Sequence, residues 1–230
     1  MDFHFMASTF PKIVSVLPMT LYISIVATVI GFIFAVLIAV ARERQIPVLA
    51  PVLGVLVSFV RGTPILVQLY VVYYGLPRLL VALDGRGGSL PATLIAISAY
   101  AINAAANLSE TVRSAYHSID SRQYQAALSV GMTPTRGIVR IVVPQLITNL
   151  IPNFANFFLD LLKDTSLVYN IGIIEIMGKS NILASFGFQY LEAYLDALFV
   201  YLITCWVFAK VLQLAELYAK KHVFNHVKTA

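Results

Sequence analysis

Asn153, Asn156, Asp160, Lys163 and Asp164 recur at intervals of about one helical turn through a stretch that is otherwise apolar. At 100° per residue they fall within an arc of about 100° on one side of a helix. Tyr100, Asn103, Asn107, Glu110 and Ser114 share one side of an earlier helix, within an arc of about 80°, and Gln68 lies inside a third apolar run. Amides, a phenol and carboxylates at such spacing can hydrogen-bond a polar solute. They contain no nucleophile beside a base and no carboxylate pair set for acid–base work. Polar groups in long apolar runs are costly and face a bundle interior or a cavity. Taken singly, each amide is read as a packing bond between helices, and Asp160 as neutralised by Lys163 one turn on. Taken as sets, the stripes read as a polar path, with Gln68, Tyr100, Asn103, Asn156 and Asp160 as its candidate lining. Arg61 and Glu110 fall near the ends of their apolar runs and read as an ion pair or gate element.

Other chemistry finds no support. His4, His117, His222 and His226 lie at chain ends or in a loop without metal-ligand spacing, so no metal site is expected. Cys205 is the one cysteine and cannot pair within the chain. Gly172 to Ser180 reads Gly, five residues, Gly-Lys-Ser, whereas a phosphate-binding loop has four intervening residues between a strand and a helix. No cofactor is expected on this chain, and it does not read as an enzyme.

The elements that must carry these residues follow from composition. Hydrophobic residues make up 59% of the chain and charged residues 12%, about half the charge of a soluble domain. Ile13 to Ala41 holds 29 residues without a charge, Gly87 to Ser109 holds 23 and Ile141 to Leu159 holds 19. Gly62 to Pro77 adds 16 beyond Arg61, and Ala197 to Ala209 adds 13 beyond Asp196. About 20 apolar residues cross the hydrocarbon core as a helix, which predicts an all-α integral membrane protein with five transmembrane helices. These are expected at about Ser15–Ala41, Arg61–Leu80 (with Pro64 in the first turn), Ser89–Ser114, from after Pro144 to near Thr165, and Tyr190–Tyr218. Ile46–Phe59 reads as a short amphipathic stretch at the interface, 84–88 as an outside turn, and 166–190 as a segment packed at the outer surface. The net charge of +5 forms no patch suited to nucleic acid. With the N-terminus outside and the C-terminus cytoplasmic, Arg42, Arg44, Arg61, Arg113, Arg122, Arg136, Arg140, Lys210, Lys220, Lys221 and Lys228 all lie inside. These are eleven of the sixteen basic residues, as the positive-inside bias requires.

Between the third and fourth spans, Tyr116 to Arg140 is polar and too short of apolar residues to cross. It reads Gln125-Ala126-Ala127, three residues, Gly131, nine residues, Ile141-Val142-Val143-Pro144. Small alanines permit close approach to a partner, and glycine permits a left-handed turn that ends a helix. The pattern resembles the EAA loop of binding-protein-dependent ABC importer permeases, with Gln125 in place of Glu and Val143 in place of Leu. Arg61-Gly62-Thr63-Pro64-Ile65-Leu66-Val67-Gln68 with Tyr73-Tyr74-Gly75 is similar to the second-helix signature of the polar amino acid group of that family. Glu110-Thr111-Val112-Arg113, and Lys163-Asp164-Thr165-Ser166-Leu167 with Ile171-Gly172 and Glu175, resemble further segments of the same group in the same order.

The resemblance implies a single transmembrane domain over 1–230, the permease subunit of an ABC importer of the histidine, glutamine, arginine and cystine type in the bacterial inner membrane. It implies a dimer with a second copy or a homologue, two ATPase subunits that bind ATP and Mg, and an external solute-binding protein. Residues 119–144 are then a cytoplasmic coupling helix-turn-helix, with Gln125, Ala126, Ala127, Gly131, Ile141 and Pro144 as its candidate coupling residues. Asp160 becomes a candidate partner for the α-ammonium of an amino acid. A secondary transporter or channel for a small polar solute is the alternative reading.

Overall fold

A computed structural model describes residues 1–84 and 90–228; they are helical almost throughout, with no strand among them. The helices are α1 (Phe3–Val14), α2 (Leu17–Glu43), α3 (Leu49–Arg61), α4 (Ile65–Asp84), α5 (Ala92–His117), α6 (Ser121–Ser129), α7 (Pro134–Gly137), α8 (Val143–Asp164), α9 (Ile176–Gly187) and α10 (Tyr190–Lys228). A π-helical turn, Ile138–Val142, joins α7 to α8, and a 3₁₀ segment, Thr165–Ile171, leaves α8. Among the described residues, five stretches are long and apolar enough to cross a membrane, as composition predicts: Phe3–Glu43, Ile65–Leu83, Ala92–His117, Pro134–Ile171 and Tyr190–Lys221.

The bundle is organised around α5. Ala27, Gly31, Ala35 and Ala39 stand one turn apart on the buried side of α2, opposite Ala104 and its neighbours on α5. A Cβ on Gly31 would stand 2.4 Å from the Ala104 Cβ and 2.8 Å from the Ala101 carbonyl oxygen. Lipid tails remove the hydrophobic drive between helices, so close backbone approach over small residues must supply the contact. The opposite side of α2 exposes Ile25, Val29, Ile33 and Leu37, side chains suited to hydrocarbon. A second cluster joins Ile13 of α1 to Ile176 of α9 and to Ala197 and Val200 of α10. There the Thr9 hydroxyl donates to the buried Asp196 carboxylate at 2.6 Å. At the rim the Asp2 carboxylate accepts from the Gln189 amide at 2.9 Å.

Several boundaries depart from the sequence reading. The first span opens at Phe3 with α1, ahead of the expected start near Ser15, and α1 has docking partners at the far end of the chain. Arg61 ends α3 rather than opening the second span, and Pro64 stands just ahead of α4. The fourth span begins at Pro134, ten residues before Pro144. Helical geometry passes through Pro144 because the π turn widens the coil there: the Val143 N–H reaches back five residues to the Ile138 carbonyl. Proline lacks the N–H and crowds the carbonyl four residues earlier, and the wider turn relieves both constraints. The last helix runs on through the basic tail to Lys228. The expected turn at 84–88 lies, apart from the Asp84 backbone, outside the described residues, as do the side chains of His222 and His226.

Candidate functional site

The polar segment between α5 and α8 folds into a helix-turn-helix. Asp120 caps α6, accepting the Arg122 N–H at 2.9 Å and pairing with its guanidinium at 2.7 Å. That guanidinium hydrogen bond holds the Asp120 carboxyl below the usual range. At the other end, Gly131 adopts φ +84°, while the Met132 N–H donates to the Ala127 carbonyl at 3.1 Å and the Gly131 N–H to Leu128 at 3.0 Å. These are the two bonds of a Schellman ending. The chain then turns into α7, where Ala127 and the ring of Tyr124 meet Gly137; a Cβ on Gly137 would come within 3.0 Å of that ring.

The six residues picked out in this segment therefore divide. Ala127 is buried in the elbow, Gln125, Ala126 and Gly131 are exposed, and Ile141 and Pro144 are half-buried at the foot of α8. Leu128, Val130, Ile138 and Val139 are exposed as well, an apolar surface on an otherwise polar loop. Gly137 carried no sequence signal, since its closeness to Tyr124 arises only once the elbow has bent.

A broken helix supplies the second feature. Gly54 of α3 lies beside Arg42 at the end of α2. Seven residues on, α3 stops level with the middle of α5, and α4 begins there. The amide of Gln68 bridges the gap: its Nε2 donates to the Val60 carbonyl at 2.6 Å, the Thr63 carbonyl at 3.0 Å and the Thr63 hydroxyl at 2.9 Å. Its Oε1 accepts from Asn103 at 3.0 Å, and Asn103 Oδ1 accepts from Asn107 at 3.1 Å. Irregular backbone at this depth needs such partners, because no water satisfies its carbonyls. Gln68, Asn103 and Asn107 thus form one relay between α4, α5 and the break.

Tyr100 lies elsewhere. Its side chain is wholly buried, and its hydroxyl donates to the Asp164 carbonyl at 2.7 Å, satisfying an orphan acceptor at the end of α8. It offers no surface to a path. Beyond the span, Glu175 is also buried. It caps α9 by accepting the Gly178 N–H at 2.7 Å and accepts the Tyr201 hydroxyl at 2.7 Å. Burial pushes its carboxyl above the ordinary value against these bonds. Here too the Gly-Lys-Ser run proves unsuited to phosphate: Gly178 packs 2.9 Å from the Tyr169 ring, measured from a notional Cβ, and Ser180 is buried with its hydroxyl on the Ile176 carbonyl.

Of the five stripe residues on α8, Asn153, Asn156, Asp160 and Lys163 are exposed, as is Asn149 one turn earlier, while Asp164 is half-buried; Lys163 Nζ donates to Asp160 at 2.7 Å. Asp160 keeps 68% of its side chain accessible. A face of this polarity inside a membrane-length helix is unsuited to acyl chains.

The expected pairing of Arg61 with Glu110 is not what the structure shows. Glu110 is paired with Arg42 and lies 3.5 Å from Arg113, while Arg113 and His117 reach Glu43 at 3.7 and 3.0 Å. Arg42 reaches Glu110 because α2 and α5 lie side by side, a contact between residues 68 apart. Arg61 stays exposed at the helix break. No group of three or more metal-ligating side chains occurs among the described residues.

Comparison with known proteins places this arrangement. Residues 27–220 match the family described as binding-protein-dependent transport system inner membrane component. The chain is 40% identical over 200 residues to a probable amino-acid permease protein, YxeN, of Bacillus subtilis, covering 87% of this chain and 88% of that one. To the L-cystine transport system permease protein TcyL of the same organism it is 33% identical over 221 residues, covering 96% and 92%. Among solved structures it superposes on a crystal structure of an amino acid ABC transporter with histidines at a TM-score of 0.84, with 32% identity and coverage of 94% and 98%. An inward-facing MetNI methionine ABC transporter shares the fold at a TM-score of 0.71 and 15% identity.

Proposed function

The chain belongs to the family of binding-protein-dependent transport system inner membrane components, and from that premise we propose that it carries a polar amino acid inward through the bacterial inner membrane. ATP is hydrolysed with Mg on separate ATPase subunits, and a solute-binding protein delivers the amino acid from outside. The N-terminus faces outside, the C-terminus the cytoplasm, and 1–230 form one transmembrane domain. The observation that carries the reading is the exposed helix-turn-helix at 119–144. Its Schellman turn at Gly131 and its exposed Leu128 and Val130 make a convex, partly apolar knob, which suits a groove on a partner.

Substrate passes along the open polar face of α8. Asn153 and Asn156 supply hydrogen bonds there, and Asp160 offers a carboxylate to the α-ammonium that every amino acid carries. That face needs a second copy or a homologue opposite it to close the path. The relatives named for amino acids and for L-cystine support this substrate class.

The test is co-purification with candidate ATPase and binding protein, reconstitution in liposomes, and ATPase and uptake assays across a panel of amino acids. ATPase activity stimulated several-fold by one binding protein with its polar amino acid supports the reading. Uptake driven by an ion gradient without ATP would overturn it.

A further inference from the structure

Two concavities on the outside of the bundle share the same three walls, α2, α3 and α5. One is an apolar groove of about 470 Å³ running past Ile30, Phe34, Leu53, Leu56, Val60 and Ile102. The other, about 330 Å³, is bounded by Arg42, Gln45, Ala50, Pro51, Gly54 and Arg113. They follow one another along the fold. Ile38 of the groove stands one turn before Arg42, and Leu53 and Gly54 are neighbours on α3.

The two volumes differ in chemistry as the two parts of a phospholipid do. A groove walled by hydrocarbon side chains stays dry, and along membrane-spanning helices the material at hand to fill it is acyl chain. At the other end stand Arg42 and Arg113, with Arg44 exposed two residues beyond Arg42. Facing them are Glu110, which Arg42 and Arg113 share, and Glu43, which Arg113 and His117 share. Arg42 and Arg113 are met by these two carboxylates, and the field of Arg61, which also acts on Glu110, tips the balance positive. The enclosed Arg113 Nε stands 3.7 Å from the Glu43 carboxylate, beyond hydrogen-bond distance. Basic pockets between membrane helices suit anionic headgroups, and guanidinium forks suit phosphate oxygens.

We infer that the groove and the arginine pocket form one site for an anionic phospholipid, with an acyl chain laid along α2, α3 and α5 and its phosphate at Arg42 and Arg113. The site is separate from the polar face of α8, and its occupant braces α3 against the bundle.

Thermal unfolding of the purified full-length chain, with its ATPase partner where the two co-purify, tests the inference. The additives are dioctanoyl phosphatidylglycerol, dioctanoyl phosphatidylcholine, and inorganic phosphate alone. Phosphatidylglycerol is expected to raise the midpoint by several degrees, phosphatidylcholine by clearly less, and phosphate not at all. Ala50→Glu puts a carboxylate into the pocket without removing an existing ion pair, and should erase the preference for phosphatidylglycerol. Gln45→Glu does the same from the exposed loop if Ala50→Glu folds poorly. Leu56→Trp fills the groove and should blunt the response to both lipids. Equal shifts with the two lipids, a shift with phosphate alone, no shift with any additive (as when a second copy covers the groove), or an unchanged preference in both acidic variants would overturn it.

Discussion

Gly31 and Gly131 make opposite demands of a side chain. Around Gly131 nothing lies within 4 Å of a notional Cβ, and the constraint is its φ of +84°, worth about 1 kcal/mol for an ordinary residue. Gly131→Asp is expected to leave the protein inserted at wild-type yield, abolish uptake, and leave the partner ATPase indifferent to substrate; wild-type uptake by a well-expressed variant would remove the loop from the mechanism. Gly31→Val instead drives a side chain into α5. Overpacking of that kind typically costs about 1–3 kcal/mol, so folded yield in detergent should fall before any transport assay can be read. A loop glycine followed by a proline-bearing run was legible in the sequence because its turn is local. Gly31 was not, because the atoms it must avoid lie 70 residues or more along the chain. Glu175 is the third demanding residue. With its carboxyl raised above the unfolded value, its contribution is full below that value and is lost as pH rises through the folded one. Stability should decline from acidic towards neutral pH, and Glu175→Gln, which keeps an oxygen to accept the Gly178 N–H, should flatten that decline in thermal unfolding profiles.

Among the elements, the break between α3 and α4 shows most plainly what periodicity can and cannot reveal. The run Gly62 to Pro77 is uncharged, so hydropathy alone makes Arg61 the start of a span. The chain instead stops α3 at Arg61 and restarts at Ile65, because Gln68 reaches back to the carbonyls of Val60 and Thr63. An amide can fill that role only when the neighbouring helix supplies Asn103, and no single-helix pattern contains that partner. Gln68→Leu should leave the half-buried Val60 and Thr63 carbonyls and the Asn103 amide unsatisfied, at about 1 kcal/mol for each group. A melting temperature equal to wild type would show that the relay has no structural role. The fourth span offers the converse lesson. Its polar stripe was readable at 100° per residue, and Asn153, Asn156, Asp160 and Lys163 of it are exposed while Asp164 is half-buried, whereas its start was hidden by Pro144, which the π turn at Ile138–Val142 accommodates.

For the whole molecule, the exposed stripe on α8 sets the decisive experiment. Asp160→Asn keeps the shape and removes the charge. If Asp160 receives the substrate, uptake should fall at least several-fold while yield and basal ATPase activity persist. If it serves only to neutralise Lys163, stability should fall first, and Asp160→Asn with Lys163→Met should restore both folding and uptake. Orientation is checked with single cysteines at Phe186 and Ser121 in a Cys205→Ala background; an impermeant thiol reagent on intact spheroplasts should reach the first and spare the second. The stitching of α1 to the end of the chain has a consequence for how the protein is made. Thr9 meets Asp196, and Asp2 meets Gln189, each across 187 residues of sequence. At about 5–20 residues per second, the ribosome needs roughly ten to forty seconds to deliver those partners after α1 has emerged. Until Ile176 and the residues after it are made, α1 lacks the helices it packs on among the described residues, α9 and α10, so its seating is a closing step of biogenesis, and a chain truncated before Tyr190 lacks the α10 half of it.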